Sequence, residues 1–214
     1  MRVVIAGGHG QIALQLEKVL AERGHSPVGI VRNPDHVADL ESVGAQAVVL
    51  DLEHTDVSAV AEALQGADAV VFAAGGGPSS GADRKETVDK GAAVLLADAA
   101  EQSGVRRYVM VSSMGTDDAD PDSDEVFQVY LRAKKAADDD LRARDLDWTV
   151  VRPGRLTDEP AAGGVQVGTL SRGEISRADV ATVLAEVLVT DSTIGATFDL
   201  LGGHQTIESA LAGV

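Results

Sequence analysis

The chain has 214 residues, 44% of them hydrophobic and 24% charged, with no cysteine and a formal net charge of −16. That is the balance of a folded chain with one core, so a single domain over 1–214 is expected. The acidity excludes the basic footprint of nucleic-acid binding, the absent thiols exclude disulfides and cysteine-ligated zinc, and no apolar run is long enough to span a bilayer.

Short β-branched runs alternate with helical patterns. "RVVIA" reads as a first strand, followed by a helix over about 10–23, then "PVGIV", a helix over 34–42 and "AQAVVL". A helix over 57–64 leads to "DAVVFAA", a long helix over 84–102 to "RRYVMVSS", and a helix over 124–144 to "DWTVVRPG". Strands apolar on both faces, each followed by a helix, predict a parallel sheet covered on both sides. After Pro153 come a short strand in "GVQVGTL", a helix over 176–189 and a strand in "TFDLLGG". Two helix starts carry a capping pattern, Asp122 with Glu125 and Ser176 with Asp179. The segment 116–125, "TDDADPDSDE", reads as a solvated acidic loop.

"VVIAGGHGQIALQL" places Gly7, Gly8 and Gly10 between the first strand and the first helix. Residues without side chains let backbone N–H groups and the helix N-terminus approach a pyrophosphate. Gly7, His9, Gly10, Gln11 and Ile12 are the binding candidates of this turn, His9 through its backbone, and Ala13 is small enough to stand where glycine is common. The second strand ends in "GIVRNP", without the acidic residue that takes two ribose hydroxyls. Arg32 and Asn33 stand there, and a guanidinium matches a phosphate, so NADP is expected over NAD. In "LDLE", Asp51 would accept from an adenine amino group with the Leu52 backbone alongside. In "AAGGG", the backbone of Ala73, Ala74 and Gly75 would approach ribose and pyrophosphate. All of these fall at the carboxyl ends of consecutive parallel strands, where open α/β sheets bind ligands.

The helix in "VYLRAKKAADDDLRARDL" carries Tyr130 and Lys134, four residues apart and therefore on one face, in a chain with two tyrosines and five lysines. With the glycine turn, serine after the fifth strand and Pro-Gly after the sixth, the pattern resembles the short-chain dehydrogenase/reductase superfamily. "MVSSMGT", "YLRAKKAADDDL", "DWTVVRPGRLTDEP" and "ISRADVA" are similar to its small atypical branch of NAD(P)H-binding or NAD-dependent epimerase/dehydratase-like proteins. The likeness runs over essentially the whole chain.

The resemblance implies an α/β fold, a doubly wound Rossmann domain with a parallel sheet of six to seven strands, in which 154–214 contribute a small substrate-side cap. It implies Tyr130, Lys134 and Ser113 as catalytic residues, with Ser112 as the fallback for Ser113. Lys134 would also hold the nicotinamide ribose, and Pro153 and Gly154 would present backbone to the carboxamide. The implied function is an NADP-dependent oxidoreductase or epimerase-like enzyme acting on a small carbonyl or alcohol substrate. The alternative is a non-catalytic binding protein that senses the NADPH/NADP+ ratio. A cytoplasmic monomer or homodimer is expected, with no metal, since the five histidines lack ligand spacing, and no membrane or nucleic-acid partner. Arg177 and Asp179 are expected to organise the last helix.

Overall fold

Alternation along the strands decides the layering. Val3 and Ile5 belong to one hydrophobic cluster while Val4 and Ala6 belong to another, and all four are fully buried. A strand buried on both faces needs cover on both faces, and the helices supply it. Burying each of the valine and isoleucine side chains contributes about 1.5–3 kcal/mol.

The computed structural model describes residues 1–77 and 80–214. Its strands are β1 (Arg2–Ala6), β2 (Ser26–Val31), β3 (Gln46–Val49), β4 (Ala69–Phe72), β5 (Arg107–Val111) and β6 (Asp147–Pro153). Beyond these come β7 (Arg155–Thr157), β8 (Gly164–Gly168), β9 (Glu174–Ser176), β10 (Ala196–Gly202) and β11 (Gln205–Thr206). The helices are α1 (Gln11–Glu22), α2 (Val37–Ser42), α3 (Val57–Ala63), α4 (Ala82–Arg84), α5 (Ala93–Ser103), α6 (Val126–Arg142), α7 (Arg177–Val187) and α8 (Ile207–Leu211).

The main sheet has nine strands in the order β11-β8-β10-β6-β5-β4-β1-β2-β3. β1 to β6 and β10 pair in parallel, and the antiparallel β8 and β11 extend the edge beyond β10. This is the Rossmann arrangement, and its topological switch point lies between β1 and β4. The sheet is larger than the six to seven strands expected, because three strands after Gly154, β8, β10 and β11, join it. β7 and β9 form a separate two-stranded ribbon. α1 and α7 cover one face, while α3 and α5 cover the other.

Three helix readings need correction. The expected helix over 84–102 is interrupted: the segment Lys85–Ala92 is π-helical, wound between α4 and α5. Such insertions cluster at functional sites. The expected helix over 34–42 begins as the 3-10 turn Pro34–His36. Asp122 does not cap α6, whose N-cap is Glu125 without a side-chain bond. The backbone carbonyls of Asp120 and Ser123 instead accept from the Arg132 guanidinium, at 2.5 and 2.8 Å, which fastens the acidic loop to α6. Ser176 does cap α7, accepting from Asp179 N at 2.9 Å. Asp179 in turn accepts from Ala162 N and Gly163 N, and Arg177 pairs with Asp158, so both residues organise the approach to the last long helix. No helix among the described residues is long and apolar enough to cross a membrane.

Candidate active site

A cavity of about 340 Å³ opens at the carboxyl ends of β1, β2, β3 and β4. Gly7, His9, Gly10, Arg32, Asp51, Leu52, Ala73, Ala74 and Gly75 line it. Gly7 has φ +82°, a left-handed conformation, and a Cβ there would meet Ala74 Cα at 2.6 Å, so only glycine serves this turn. Gly10 donates from its N–H to Gly7 O at 2.8 Å and caps α1 without any side-chain bond, and the first turn of α1 holds no acidic residue. The N–H groups of Gln11 and Ile12 lie in that first turn, at the positive end of a twelve-residue helix. His9 does more than lend its backbone: its ring stacks on His36 at 3.5 Å and its Nε2 lies 2.7 Å from Asp39 Oδ2.

Asn33 does not line the cavity; its side chain accepts from Asp35 N at 3.1 Å and caps the 3-10 turn. Asp51 accepts from Glu53 N at 3.0 Å and lies 3.0 Å from His54 Nδ1. The Glu53 N–H, then the His54 ring, hold its carboxyl below the usual range. Pro153 and Gly154 do not line the cavity. Pro153 O accepts from Met114 N at 3.1 Å, and Gly154 N donates to Leu200 O at 3.0 Å. The need for glycine at 154 is steric, since a Cβ there would lie 2.4 Å from Leu201 Cδ2 and 2.5 Å from Gly173 O.

α6 carries Lys134 to the strand tips. Its Nζ, nearly fully buried, donates to Val111 O at 3.1 Å and Ala74 O at 3.4 Å and pairs with Asp89 Oδ1 at 3.5 Å. It also stands 5.2 Å above the Phe72 ring. One turn earlier, Tyr130 is half-buried beside Phe127, with ring centroids 6.0 Å apart. Lys85 Nζ sits 5.4 Å from the Tyr130 ring centre and donates to Gly77 O at 2.6 Å. Both members of the Tyr-x-x-x-Lys pair therefore meet the β4 loop, Lys134 directly and Tyr130 through Lys85. The two serines after β5 differ sharply. Ser112 is buried and donates to Asp138 Oδ2 at 2.9 Å, whereas Ser113 is half-buried and donates only to Met114 O at 3.2 Å.

Several contributors carry no motif. The fully buried Asp89 binds Lys134 with one oxygen and Gly76 N, at 3.0 Å, with the other. Asp138 is fully buried, and desolvation pushes its carboxyl up against the pull of Ser112 and Arg152. Arg152 lies 3.0 Å from Asp138 and 2.5 Å from Asp117, so β6, α6 and the acidic loop are tied together behind Ser113. Asp138 could have been noticed: it stands four residues after Lys134, on the same helical face. Nothing in the sequence marks Lys85 or Asp89.

A model of the NAD(P)H-binding family matches residues 7–191, from the glycine turn to the segment between α7 and β10. The chain belongs to the NAD(P)H-binding family. Over 213 residues it is 37% identical to the uncharacterized sugar epimerase YhfK of Bacillus subtilis, across 99% of both chains. A Bacillus halodurans structure provisionally named an NAD-dependent epimerase/dehydratase is 39% identical, with a TM-score of 0.93 over 100% of both chains. The Lactococcus lactis oxidoreductase ylbE is 27% identical, with a TM-score of 0.89 over 100% of this chain and 96% of its own. Within the NAD(P)H-binding family the chain falls in the atypical, epimerase-like branch of the short-chain dehydrogenases/reductases.

The residues present fit a dinucleotide. An uncapped helix N-terminus, a turn with no room for a Cβ at Gly7 and a cavity of ligand size converge at the switch point. Among the described residues no group of His, Asp or Glu is disposed to hold a metal ion.

Proposed function

We propose that this chain is an NADP-dependent oxidoreductase or epimerase-like enzyme acting on a small carbonyl or alcohol compound. The observation that carries the reading is the placement of α6, which sets Lys134 against the tips of β4 and β5, where it donates to Ala74 O of the cavity wall, with Tyr130 one turn away; neither side chain itself lines the cavity. The nicotinamide cofactor, when bound, supplies or takes up hydride. Gly7, Gly10 and the first turn of α1 would hold its pyrophosphate, Ala73 to Gly75 its ribose, and Asp51 with Leu52 its adenine. Arg32, at the rim of the cavity and 57% exposed, is offered to a 2′-phosphate.

The Tyr130 hydroxyl gives its proton to the substrate oxygen or takes it back. Ser113 donates to the same oxygen, and it is preferred to Ser112 because the Ser112 hydroxyl is committed to Asp138. Lys134, with Nζ donating to Val111 O and Ala74 O beside Asp89, would turn its third N–H to the nicotinamide ribose. Pro153 and Gly154, at and just past the end of β6 and outside the cavity, would face the carboxamide side.

The test pairs binding with turnover. Tyr130→Phe is expected to leave NADPH affinity within a few-fold while cutting turnover on a panel of small aldehydes and ketones by about 100-fold or more. Turnover unchanged by this substitution would refute the assignment. A reductase consumes NADPH in step with product, whereas an epimerase leaves the cofactor absorbance unchanged. No specific observation favours the redox-sensing alternative.

A further inference from the structure

At the end of the cavity beyond Asp51, three charged side chains from separate elements meet. Glu53 follows β3, Arg32 follows β2, and Arg84 closes α4, and all three line the cavity. Glu53 is held from two sides: Arg84 Nη2 donates to its Oε2 at 2.6 Å and Thr87 Oγ1 donates to its Oε1 at 2.7 Å. Arg32 Nη1 makes only a looser contact with the same Oε2, at 3.5 Å. Burial pushes the Glu53 carboxyl up, but the bonds from Thr87 and Arg84 outweigh it and keep the group ionised, below its ordinary range. Asp51, the other carboxylate at this end, is taken by Glu53 N and faced by His54.

Charge pairing then follows from distance. Arg84 and Glu53 form a close, charge-assisted pair, and this leaves Arg32 the cation with spare charge and spare donors. A carboxylate beside Arg32 would otherwise compete with an incoming phosphate, because both offer paired oxygens to the same guanidinium fork. We propose that Arg84 is a specificity-determining positioning residue: by occupying Glu53 it keeps that carboxylate off Arg32 and so leaves Arg32 available to a 2′-phosphate. The inference rests on the NADP reading above, and it gives the helical turn after the β4 loop a part in choosing the cofactor.

The experiment measures dissociation constants for NADPH and NADH by calorimetry on four proteins: wild type, Arg84→Met, Glu53→Gln and the double variant. Wild type is expected to prefer NADPH. In Arg84→Met the freed Glu53 oxygen closes on Arg32, and the preference falls about tenfold, somewhat more than an exposed charge pair because Glu53 is largely shielded from water. Glu53→Gln keeps the preference or raises it, and adding it to Arg84→Met restores the preference to within about threefold of wild type. A merely structural role for Arg84 has no reason to be rescued this way. An unchanged preference in Arg84→Met overturns the proposal, and so does a double variant as low as Arg84→Met, which would make Arg84 itself the phosphate ligand. A wild type without preference overturns the NADP reading itself, and this inference falls with it.

Discussion

Glu17 offers a stability test that needs no substrate. It lies on α1, fully buried, and neither carboxyl oxygen has a hydrogen-bond partner among the described residues. A methyl group on Gly29 would lie 2.5 Å from its Oε1 and one on Gly8 2.9 Å, so the carboxyl is wedged between the glycine turn and the middle of β2. Burial raises its pKa from 4.5 to about 8. Below pH 4.5 both the folded and the unfolded chain carry the proton, so nothing is lost. Between 4.5 and about 8 the unfolded chain releases it while the folded chain keeps it, so stability falls as pH rises and levels off above about 8. At 1.36 kcal/mol for each pH unit, the full loss is about 5 kcal/mol, comparable to the whole stability of many domains. Glu17→Gln keeps the shape and cannot ionise. Urea unfolding followed through Trp148 fluorescence should show the variant within about 1 kcal/mol of wild type near pH 5 and pulling ahead by several kcal/mol at pH 9. Subtracting the two proteins cancels the pH response of the other titrating groups. A difference that stays constant from pH 5 to pH 9 would show that Glu17 does not carry its proton into the folded state.

Gly7→Ala should lose dinucleotide affinity and about 2 kcal/mol or more of stability, because φ +82° disfavours a side chain and the new methyl would lie 2.6 Å from the Ala74 backbone. Thermal unfolding with and without NADPH checks both effects, and a variant stabilised by NADPH as much as wild type would contradict the close approach of these two loops. Arg152→Met strands the buried Asp138 and releases Asp117, so a loss of about 3–5 kcal/mol is expected in urea unfolding. Adding Asp138→Leu should recover much of it, since both partners of the pair are then gone. Strict additivity of the two substitutions would mean that the ion pair does not act as a unit.

The parallel strands β1 to β6 were legible because each is a short apolar run, buried on both faces in all but the edge strand β3, and such runs followed by helices admit few arrangements. β7, β9 and β11 were not, since elements of two or three residues carry no periodicity. Asp122 with Glu125 satisfied a capping pattern, yet α6 starts at Val126, because Arg132 draws the loop carbonyls of Asp120 and Ser123 onto the helix. The π-helical turns after Arg84 were hidden too, because their residues read as ordinary helix formers.

At the candidate site the division follows distance along the chain. Gly7 and Gly10 after a strand, and Tyr130 with Lys134 four residues apart, are local patterns whose geometry is set by bond lengths and helical pitch, so the amino-acid order alone determined them. Asp89 against Lys134, Lys85 over Tyr130 and Glu53 between Arg32 and Arg84 bring together groups from different elements. Such pairings depend on how helices dock across the sheet and on which charges the docking removes from water. Only the tertiary structure decided them, because desolvation and charge pairing are properties of assembled surroundings and leave no period in a sequence.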